Sequence, residues 1–357
     1  MTVDFLYNLL SGFLSNTIGS DSVLLISMLL PLVATFGFIT IYALVVIYAE
    51  LKVSSFIQDK VGPMGQGFGL HAGKFGLLQP IADALKLLSK EDIIPRSADK
   101  ILFVLAPFMI FVGAFISFVA LPFNESVIVS DLNIGLFYIL GVGSLAVIAI
   151  ILAGWSSNNK WSLYGGMRSA AQIISYEIPA GLSLIVVIML AGSLNMQEII
   201  LYQQGGIGNW IIFDNPFMPI AFVVYFISAL AETNRTPFDL PESESELVAG
   251  FVTEYSGMRY AFFFLSEYAN MFVVCVVAAT GFLGGWQSPF ADSLDSPLMG
   301  FFWMLSKTAS LIFVMIWIRW TVPRLRVDQL MHICWKVLLP VGLFNIFAVA
   351  IWTVLIG

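Results

Sequence analysis

Charged residues are scarce in this sequence of 357 residues: only 11% are Asp, Glu, Lys or Arg, whereas 59% are hydrophobic. Soluble domains carry about 25% charged residues, so this composition excludes an ordinary soluble domain. Cysteine and histidine are scarcer still, with two residues of each, and neither pair has the close spacing of a zinc, haem or iron–sulfur motif. We therefore expect no metal site and no redox centre bound by this chain itself.

Long apolar runs take the place of charge. Crossing about 30 Å of hydrocarbon takes roughly 20 apolar residues in a helix. Eight segments reach or approach that length and predict an all-α, polytopic membrane protein, with one integral membrane domain over residues 1–357. These segments are residues 23–49, 101–123, 132–155, 168–197, 215–231, 260–286, 298–320 and 337–356.

The positive charges are confined to alternate connections between these segments. Of the 16 Lys and Arg residues, all but Lys307 lie in the connections after the first, third, fifth and seventh predicted helices. Positively charged connections stay in the cytoplasm, so both termini are predicted to lie on the outer side. The net charge of −7 leaves no basic face, which excludes nucleic acid as a partner.

The first cytoplasmic connection contains a shorter periodic segment, about residues 77–90. Apolar residues recur at helical spacing on one side, and charged residues occupy another. The two sets are Leu78, Ile81, Leu85 and Leu88 against Asp83, Lys86 and Lys90. This pattern predicts an amphipathic helix at the membrane surface, because it is too short and too charged to cross.

A few ionisable residues fall within or at the ends of the predicted membrane helices. Glu50 ends the first helix, and Glu177, Glu267 and Lys307 lie inside the fourth, sixth and seventh. At 1.5 Å per residue, the last three are predicted at similar depths, about 12–18 Å from the cytoplasmic arginines. Each would cost about 2.5–3.5 kcal/mol facing lipid, so we expect all of them to face the protein interior. A proton or ion path and a static salt bridge, such as Glu267–Lys307, are the two interpretations.

The connection at residues 232–259 is unusually acidic for so apolar a chain. It holds six carboxylates against Arg235 within its first 23 residues: Glu232, Asp239, Glu242, Glu244, Glu246 and Glu254. Two features predict that this segment is packed and not solvated. Its Thr236-Pro237 and Leu240-Pro241 dipeptides are conformationally rigid. Its acids are also interleaved with apolar residues: Phe238, Leu240, Leu247, Val248, Phe251 and Tyr255. If the segment is helical, Glu242, Glu246, Gly250 and Glu254 share one face. A solvated loop and a calcium site are the alternatives, although the Asp spacing of a calcium loop is missing.

The block ETNRTPFDLPESESELVAGFVTEYSGMRYAFFFLSEYANM, at 232–271, resembles a signature of the H subunit of NADH:quinone oxidoreductases, which is subunit 1 in mitochondrial complex I. Three further blocks carry the same resemblance in the same order. They are FGLLQPIADALKLLSKEDI (75–93), SAAQIISYEIPAGL (169–182) and WIRWTVPRLRVDQLMHICWKVLLP (317–340).

The resemblance implies an eight-helix subunit at the joint between the hydrophilic and membrane arms of complex I. The substrate that the resemblance implies is a quinone, and NADH, FMN and iron–sulfur clusters are expected in partner subunits. The implied partners are other membrane subunits, the quinone-site subunits of the hydrophilic arm and the lipid of a bacterial inner membrane. The expected quinone-cavity residues are Lys60, Asp83, Lys86, Arg235, Phe238 and Asp239. The expected proton path, which includes the buried charges above, is Glu50, Tyr176, Glu177, Glu232, Glu242, Glu244, Glu246, Glu254, Glu267 and Lys307.

Two other functions fit the same composition. The chain would serve as the membrane anchor of a related hydrogenase or dehydrogenase, or it would exchange ions alone as an antiporter. Adjacent genes would distinguish these functions, since a flavin subunit with a nucleotide site favours NADH oxidation and nickel-binding cysteine pairs favour a hydrogenase.

The predicted topology has a direct test. In a background without Cys275 and Cys334, single cysteines at Ser11 and Gly357 should react with impermeant thiol reagents added from outside the cell. Labelling from the cytoplasmic side instead would overturn the eight-helix arrangement.

Overall fold

The computed structural model describes residues 20–63, 76–240, 244–290 and 297–356, and within these ranges every regular element is helical. The main helices are α1 (Ser20–Ile57), α2 (Gln79–Ser89), α3 (Lys100–Ser117), α4 (Gly135–Gly143), α5 (Leu145–Ser156), α6 (Lys160–Ala191), α7 (Met196–Tyr202), α8 (Met218–Glu232), α9 (Gly257–Phe282), α10 (Pro297–Thr321), α11 (Val327–His332) and α12 (Leu339–Ile356). Single helical turns lie at Ile211–Asp214 and Glu244–Leu247, and a π-helical stretch, Ile333–Leu338, joins α11 to α12.

Seven spans in the described ranges are long and apolar enough to cross a membrane, so the chain is a multi-pass membrane protein. They are α1, α3, the α4–α5 pair, α6, α9, α10 and the α11–α12 pair. The predicted segment 215–231 forms α8, which has 15 residues. Such a helix is about 22 Å long, shorter than the hydrocarbon layer. The all-helical membrane architecture is therefore confirmed, and the count of eight full-length spans is not.

Several helix boundaries differ from the predicted ones because charge-free runs do not mark where a helix ends. α1 continues past Glu50 to Ile57. α6 begins at Lys160, well before the predicted residue 168, because the Asn159 side chain caps it by accepting a hydrogen bond from the backbone N–H of Trp161. The predicted helix 132–155 is two helices that meet at Ser144.

A short helix, α2, lies where the sequence predicts a surface helix. Pro80 occupies its first turn, and it packs against α1 and α9. Its apolar residues Ile81, Leu85 and Leu88 are exposed rather than packed on the bundle. That exposed face is the one expected to meet lipid, and its position at a membrane surface stays a prediction.

The most enclosed helix is α9, whose residues from Met271 to Phe282 are all buried. It packs against α1, α3, α8 and α10. The ring of Phe272 stacks on Phe118 at 5.6 Å and meets Tyr42 edge-on at 4.9 Å. Glu267 lies one helical turn before this enclosed stretch.

The acidic connection is held against the N-terminal half of α6 by a close backbone contact. A Cβ atom added at Gly165 would lie only 2.6 Å from Cα of Gly250. Gly250 itself has a φ of +55°, a left-handed conformation that favours glycine. The two glycines allow the connection to lie directly on the helix.

We predict that Gly165→Ala separates the connection from α6 and lowers the thermal stability of the assembled protein. Gly181→Ala, in the same helix, is the matched control because a Cβ there meets nothing within 4 Å. The control should gain about 1 kcal/mol of helix propensity. Equal melting temperatures for the two variants would contradict the close contact.

Candidate functional site

A cluster of two arginines and two glutamates is buried where α1, α9, α10 and the acidic connection meet. Nη1 of Arg235 donates a hydrogen bond to Oε2 of Glu50 at 2.8 Å. Nε of Arg235 lies 2.7 Å from Oε1 of Glu267, and Arg319 donates to the other oxygen of Glu50. The Arg235 side chain is 1% exposed and that of Glu50 is 8% exposed. The charges of the cluster balance, which is the condition under which ion pairs persist in a protein interior.

Local structure places each member of this cluster. Glu50 lies in α1, Glu267 in α9 and Arg319 in the last turn of α10. Arg235 follows α8 on a turn in which Asn234 has a φ of +52° and the Arg235 N–H donates to the carbonyl of Leu230. This turn aims the guanidinium back into the bundle.

Tyr268 completes the cluster. Its hydroxyl donates to Oε2 of Glu50 at 2.7 Å, and the guanidinium of Arg235 lies 4.4 Å from its ring centre. Burial acts to lower the pKa of Arg235, but the carboxylates of Glu267 and Glu50 outweigh burial and raise that pKa well above its ordinary value. The guanidinium is therefore permanently charged. Its Nη2 has no hydrogen-bond partner among the described residues.

A second group of carboxylates consists of Glu177 on α6 and Glu232 at the end of α8. The two residues are close enough to interact electrostatically. Within the described ranges neither forms an ion pair, and Oε1 of Glu177 is buried without a hydrogen-bond partner. This group therefore differs from the arginine cluster, because no cation compensates it.

Two small cavities connect the two groups. The first, of about 50 Å³, is lined by Glu267, Asn270 and Glu232 together with apolar side chains. The second, of about 20 Å³, is lined by Glu232, Asn270 and Tyr225. A volume of roughly 10–15 Å³ accommodates one water, so the first has room for a few water molecules and the second for one. Glu232 and Asn270 lie on the boundary between the cavities.

The break between α4 and α5 lies beside Glu232. A Cβ added at Gly143 would lie 3.4 Å from Oε1 of Glu232, and Gly143 also lines the second cavity. Interrupted helices are tolerated inside a membrane where they border protein or a polar cavity. The glycine at the break gives the carboxylate room that a larger side chain would fill.

The acidic connection is packed, as predicted. Phe238, Leu240, Leu247, Phe251 and Tyr255 are buried. Val248 is the exception, at 59% exposed with a φ of +68°. Burial raises the pKa of Tyr255 to about 12, and its ring stacks on Phe103 at 4.1 Å.

The predicted row of carboxylates on one helix face is wrong. The helical turn ends at Leu247, and Gly250–Val252 forms a separate 3₁₀ turn, so Glu246 and Glu254 do not share a continuous helix. Glu246 pairs instead with Arg168 at 2.6 Å, and Glu254 accepts a hydrogen bond from Asn159 at 2.6 Å. Glu242 and the side chain of Glu244 lie outside the described residues.

Lys307 does not lie at the depth of Glu267, and the Glu267–Lys307 salt bridge is absent among the described residues. Its ammonium donates to the carbonyls of Leu283, Gly285 and Gln287, at 2.6, 2.9 and 2.8 Å. Leu283 lies sixteen residues beyond Glu267, about 24 Å further along the helical axis. The three N–H donors of Lys307 are thus all hydrogen-bonded at the end of α9 that is opposite to Glu267.

Comparison with known proteins identifies the family. The family described as NADH dehydrogenase matches residues 30–350. The chain belongs to this family. It is 53% identical to the H subunit of the NADH-quinone oxidoreductase of Chlorobaculum tepidum, over 89% of this chain and 90% of that protein. It is 47% identical to the H subunit of the Anaeromyxobacter dehalogenans enzyme (87% and 78% covered) and 45% identical to that of Bacteroides thetaiotaomicron (87% and 86% covered).

In this NADH dehydrogenase family member, the residues expected at a quinone cavity do not all meet. Arg235 belongs to the buried cluster, whereas the Phe238 ring packs on Tyr176 at 5.3 Å and the Asp239 carbonyl accepts a hydrogen bond from Arg324. Lys60 donates to Gln58, Asp83 accepts from Gln79, and Lys86 is exposed on α2. Tyr176, expected on the proton path, donates its hydroxyl to the carbonyl of Leu330 at 2.9 Å.

Several residues of the site are not among the sequence-based candidates. Arg319 and Tyr268 contact Glu50, and Asn270 and Tyr225 line the cavities. Gln172 is fully buried on α6 and donates to the carbonyls of Ala231 and Phe238, both at 2.7 Å. A search for uncharged polar residues within the apolar runs would have found Gln172 and Asn270, because a buried amide needs partners.

We predict a larger loss of stability from Arg235→Gln than from Arg319→Gln. Removing one partner of a buried ion pair costs about 3–5 kcal/mol, and Arg235 holds two carboxylates at 1% exposure whereas Arg319 is 25% exposed. Thermal denaturation of the purified assembly measures the difference. Adding Glu50→Gln should recover part of the loss in Arg235→Gln, and an additive effect would contradict the pairing.

Proposed function

We propose that this chain is the membrane subunit of a proton-pumping NADH-quinone oxidoreductase, the complex for which its relatives are named. It works only in the assembly, where partner subunits of complex I supply NADH oxidation, flavin and iron–sulfur clusters. In our proposal the chain lines part of the quinone cavity and holds the first carboxylates of the path that couples quinone reduction to proton movement. The predicted location is a bacterial inner membrane.

The observation that supports this function best is the link between the two groups of buried charges. Glu267 of the Arg235 cluster and Glu232 line the same water-sized cavity, and Glu232, the neighbour of Glu177, also lines the second one. Ionisable residues at membrane depth are costly and mark substrate or proton pathways. A purely structural ion pair would account for the first group but not for the second, which pairs with no cation in the part of the chain that the structure describes.

Arg235 is the proposed sensor of events at the quinone. Its Nη2 is an unused, permanently charged donor, and its other nitrogens contact Glu50 and Glu267. Reduction of a quinone to a quinol takes two electrons and two protons, so charge and proton demand change beside this donor. Charges 4 Å apart interact by about 4 kcal/mol at an effective dielectric of 20, against about 1 kcal/mol in water. A change of charge beside Nη2 therefore alters the strength of the ion pairs that Arg235 forms with Glu50 and Glu267.

Glu232 is the proposed relay for the proton. It borders both cavities, so a proton that reaches water beside Glu267 can pass to Glu232 and then toward Tyr225 without crossing apolar packing. Two neighbouring carboxylates can share one proton, and their titration then belongs to the pair. Glu177 is the second member of that pair.

We predict that Glu232→Gln and Glu267→Gln each abolish proton pumping coupled to quinone reduction, while NADH oxidation with artificial acceptors persists. Glutamine retains the volume and polarity of the side chain and removes its titration. At position 267 it also removes a charge that pairs with Arg235, so Glu232→Gln, which breaks no ion pair among the described residues, is the cleaner test of the path. Pumping in proteoliposomes and acceptor-dependent NADH oxidation are measured on the same assembled preparation.

The control is Glu125→Gln, an exposed carboxylate that lines neither cavity, which should pump as the unmodified protein does. If both Glu232→Gln and Glu267→Gln pump normally, the cavities are not the path. If NADH oxidation with artificial acceptors is lost as well, the effect lies in assembly.

A further inference from the structure

A groove opens on the side of the bundle between the end of α1 and α10. It is about 670 Å³ in volume, and Lys52, Phe56, Lys60, Val61, Phe313 and Trp317 line most of it. The described residues that line it include two lysines and no carboxylate. Neither the buried charge cluster nor the two small cavities include any of these side chains. We call it the Lys52–Lys60 groove.

The position of the groove matches the boundary between hydrocarbon and headgroups. α1 ends at Ile57, and Trp317 lies four residues before the end of α10, so the groove lies at the predicted cytoplasmic ends of both helices. Trp317 is 53% exposed, and tryptophan concentrates at this level of a membrane. Phe313, one helical turn deeper, is 54% exposed and continues the apolar wall.

The turn after α1 brings the second lysine back to the first. The N–H of Lys60 donates to the carbonyl of Ser55 at 2.7 Å, and that of Gln58 donates to Ser54 at 3.0 Å. Gly62, with a φ of +72°, lies so close to Ser55 that a Cβ would be 2.4 Å from its hydroxyl oxygen. The turn therefore folds onto the helix end, and both Lys52 and Lys60 border one groove.

The same turn removes the feature that would repel an anion at a helix C-terminus. Terminal carbonyls give that end a partial negative charge. Here the carbonyls of Ser54, Ser55 and Phe56 each accept a backbone hydrogen bond from the turn. Glu50, the acidic residue nearest to Lys52 along α1, faces Arg235 instead. The ammonium groups of Lys52 and Lys60 are the charged groups among the described residues that line the groove, because Asp59, in the same turn, does not line it. Each ammonium donates one hydrogen bond, to the Pro63 carbonyl and to the Gln58 side chain, and has further donors for an anion.

We propose that the Lys52–Lys60 groove binds one anionic phospholipid of the cytoplasmic leaflet. The phosphate lies between the ammonium groups of Lys52 and Lys60, and the first part of an acyl chain lies along Phe56, Phe313 and Trp317. A quinone headgroup is neutral and leaves two cations without a counter-charge, whereas a phosphate diester supplies that charge. The apolar walls lie at the depth of acyl chains, so the two halves of a phospholipid match the two halves of the groove.

The test uses the assembled complex in nanodiscs of phosphatidylcholine that contain a small fraction of photoreactive phosphatidylglycerol. After irradiation, labelled peptides are identified by mass spectrometry. We expect labels in residues 52–61 and 313–317. Lys52→Gln/Lys60→Gln should lower this labelling on the order of tenfold, because each lysine near an anionic headgroup contributes several-fold in affinity. Lys52→Arg/Lys60→Arg should retain it.

Two kinds of control, a charge-matched variant and competing ligands, distinguish an anionic phospholipid from a zwitterionic lipid, free phosphate or a quinone in the groove. Lys90→Gln/Lys160→Gln removes two exposed lysines elsewhere and should leave the labelling unchanged. Excess phosphatidylglycerol should compete, and excess phosphatidylcholine or inorganic phosphate should not. Equal labelling by photoreactive phosphatidylcholine would overturn the proposal, as would competition by a quinone. Absence of labelling because a partner subunit covers the groove would also overturn it.

Discussion

Burial of the Arg235 guanidinium between Glu50 and Glu267 is the constraint on which the arrangement of the surrounding helices depends. A charged group at 1% exposure is stable only with compensating charge, and the two carboxylates come from helices that are far apart in the sequence, α1 and α9. Glu50 in turn holds Arg319 of α10. The arginine thus fixes α1, α9, α10 and the end of α8 relative to one another. Helices in lipid gain little from hydrophobic association, so such polar contacts carry much of their specificity.

The acidic connection is held in the same region by polar contacts rather than by its own secondary structure. Gln172 binds backbone carbonyls on both sides of Arg235, at Ala231 and Phe238. Gly165 permits the close approach of the 3₁₀ turn at Gly250. These contacts hold Arg235 in place from α6, the helix that also carries Glu177. A movement of Arg235 would therefore be transmitted through Gln172 to α6, the helix that carries Glu177.

Much of this could be predicted from the sequence. The lengths of the apolar runs predicted a helical membrane protein, and the mixture of proline, phenylalanine and acid predicted a packed connection. The free-energy cost of placing a charged side chain in lipid predicted that Glu50 and Glu267 face the protein interior, and both pair with Arg235 there. The partners could not be predicted, because they depend on the rotation and tilt of whole helices. Lys307 shows the limit: counting from Arg319 placed it near Glu267, whereas it binds three carbonyls near the far end of α9.

The contrast between Lys307 and Glu232 shows which buried ionisable groups suit a moving proton. Lys307 uses all three ammonium donors on fixed carbonyls and lies 4.1 Å from the ring centre of Trp210, so a change in its charge would disrupt local structure. Glu232 borders space for water on two sides and forms no ion pair among the described residues. Gaining or losing a proton there requires no rearrangement of a salt bridge. Burial is common to both residues; what suits Glu232 to the proposed relay is the adjoining space for water and the absence of an ion-pair partner among the described residues.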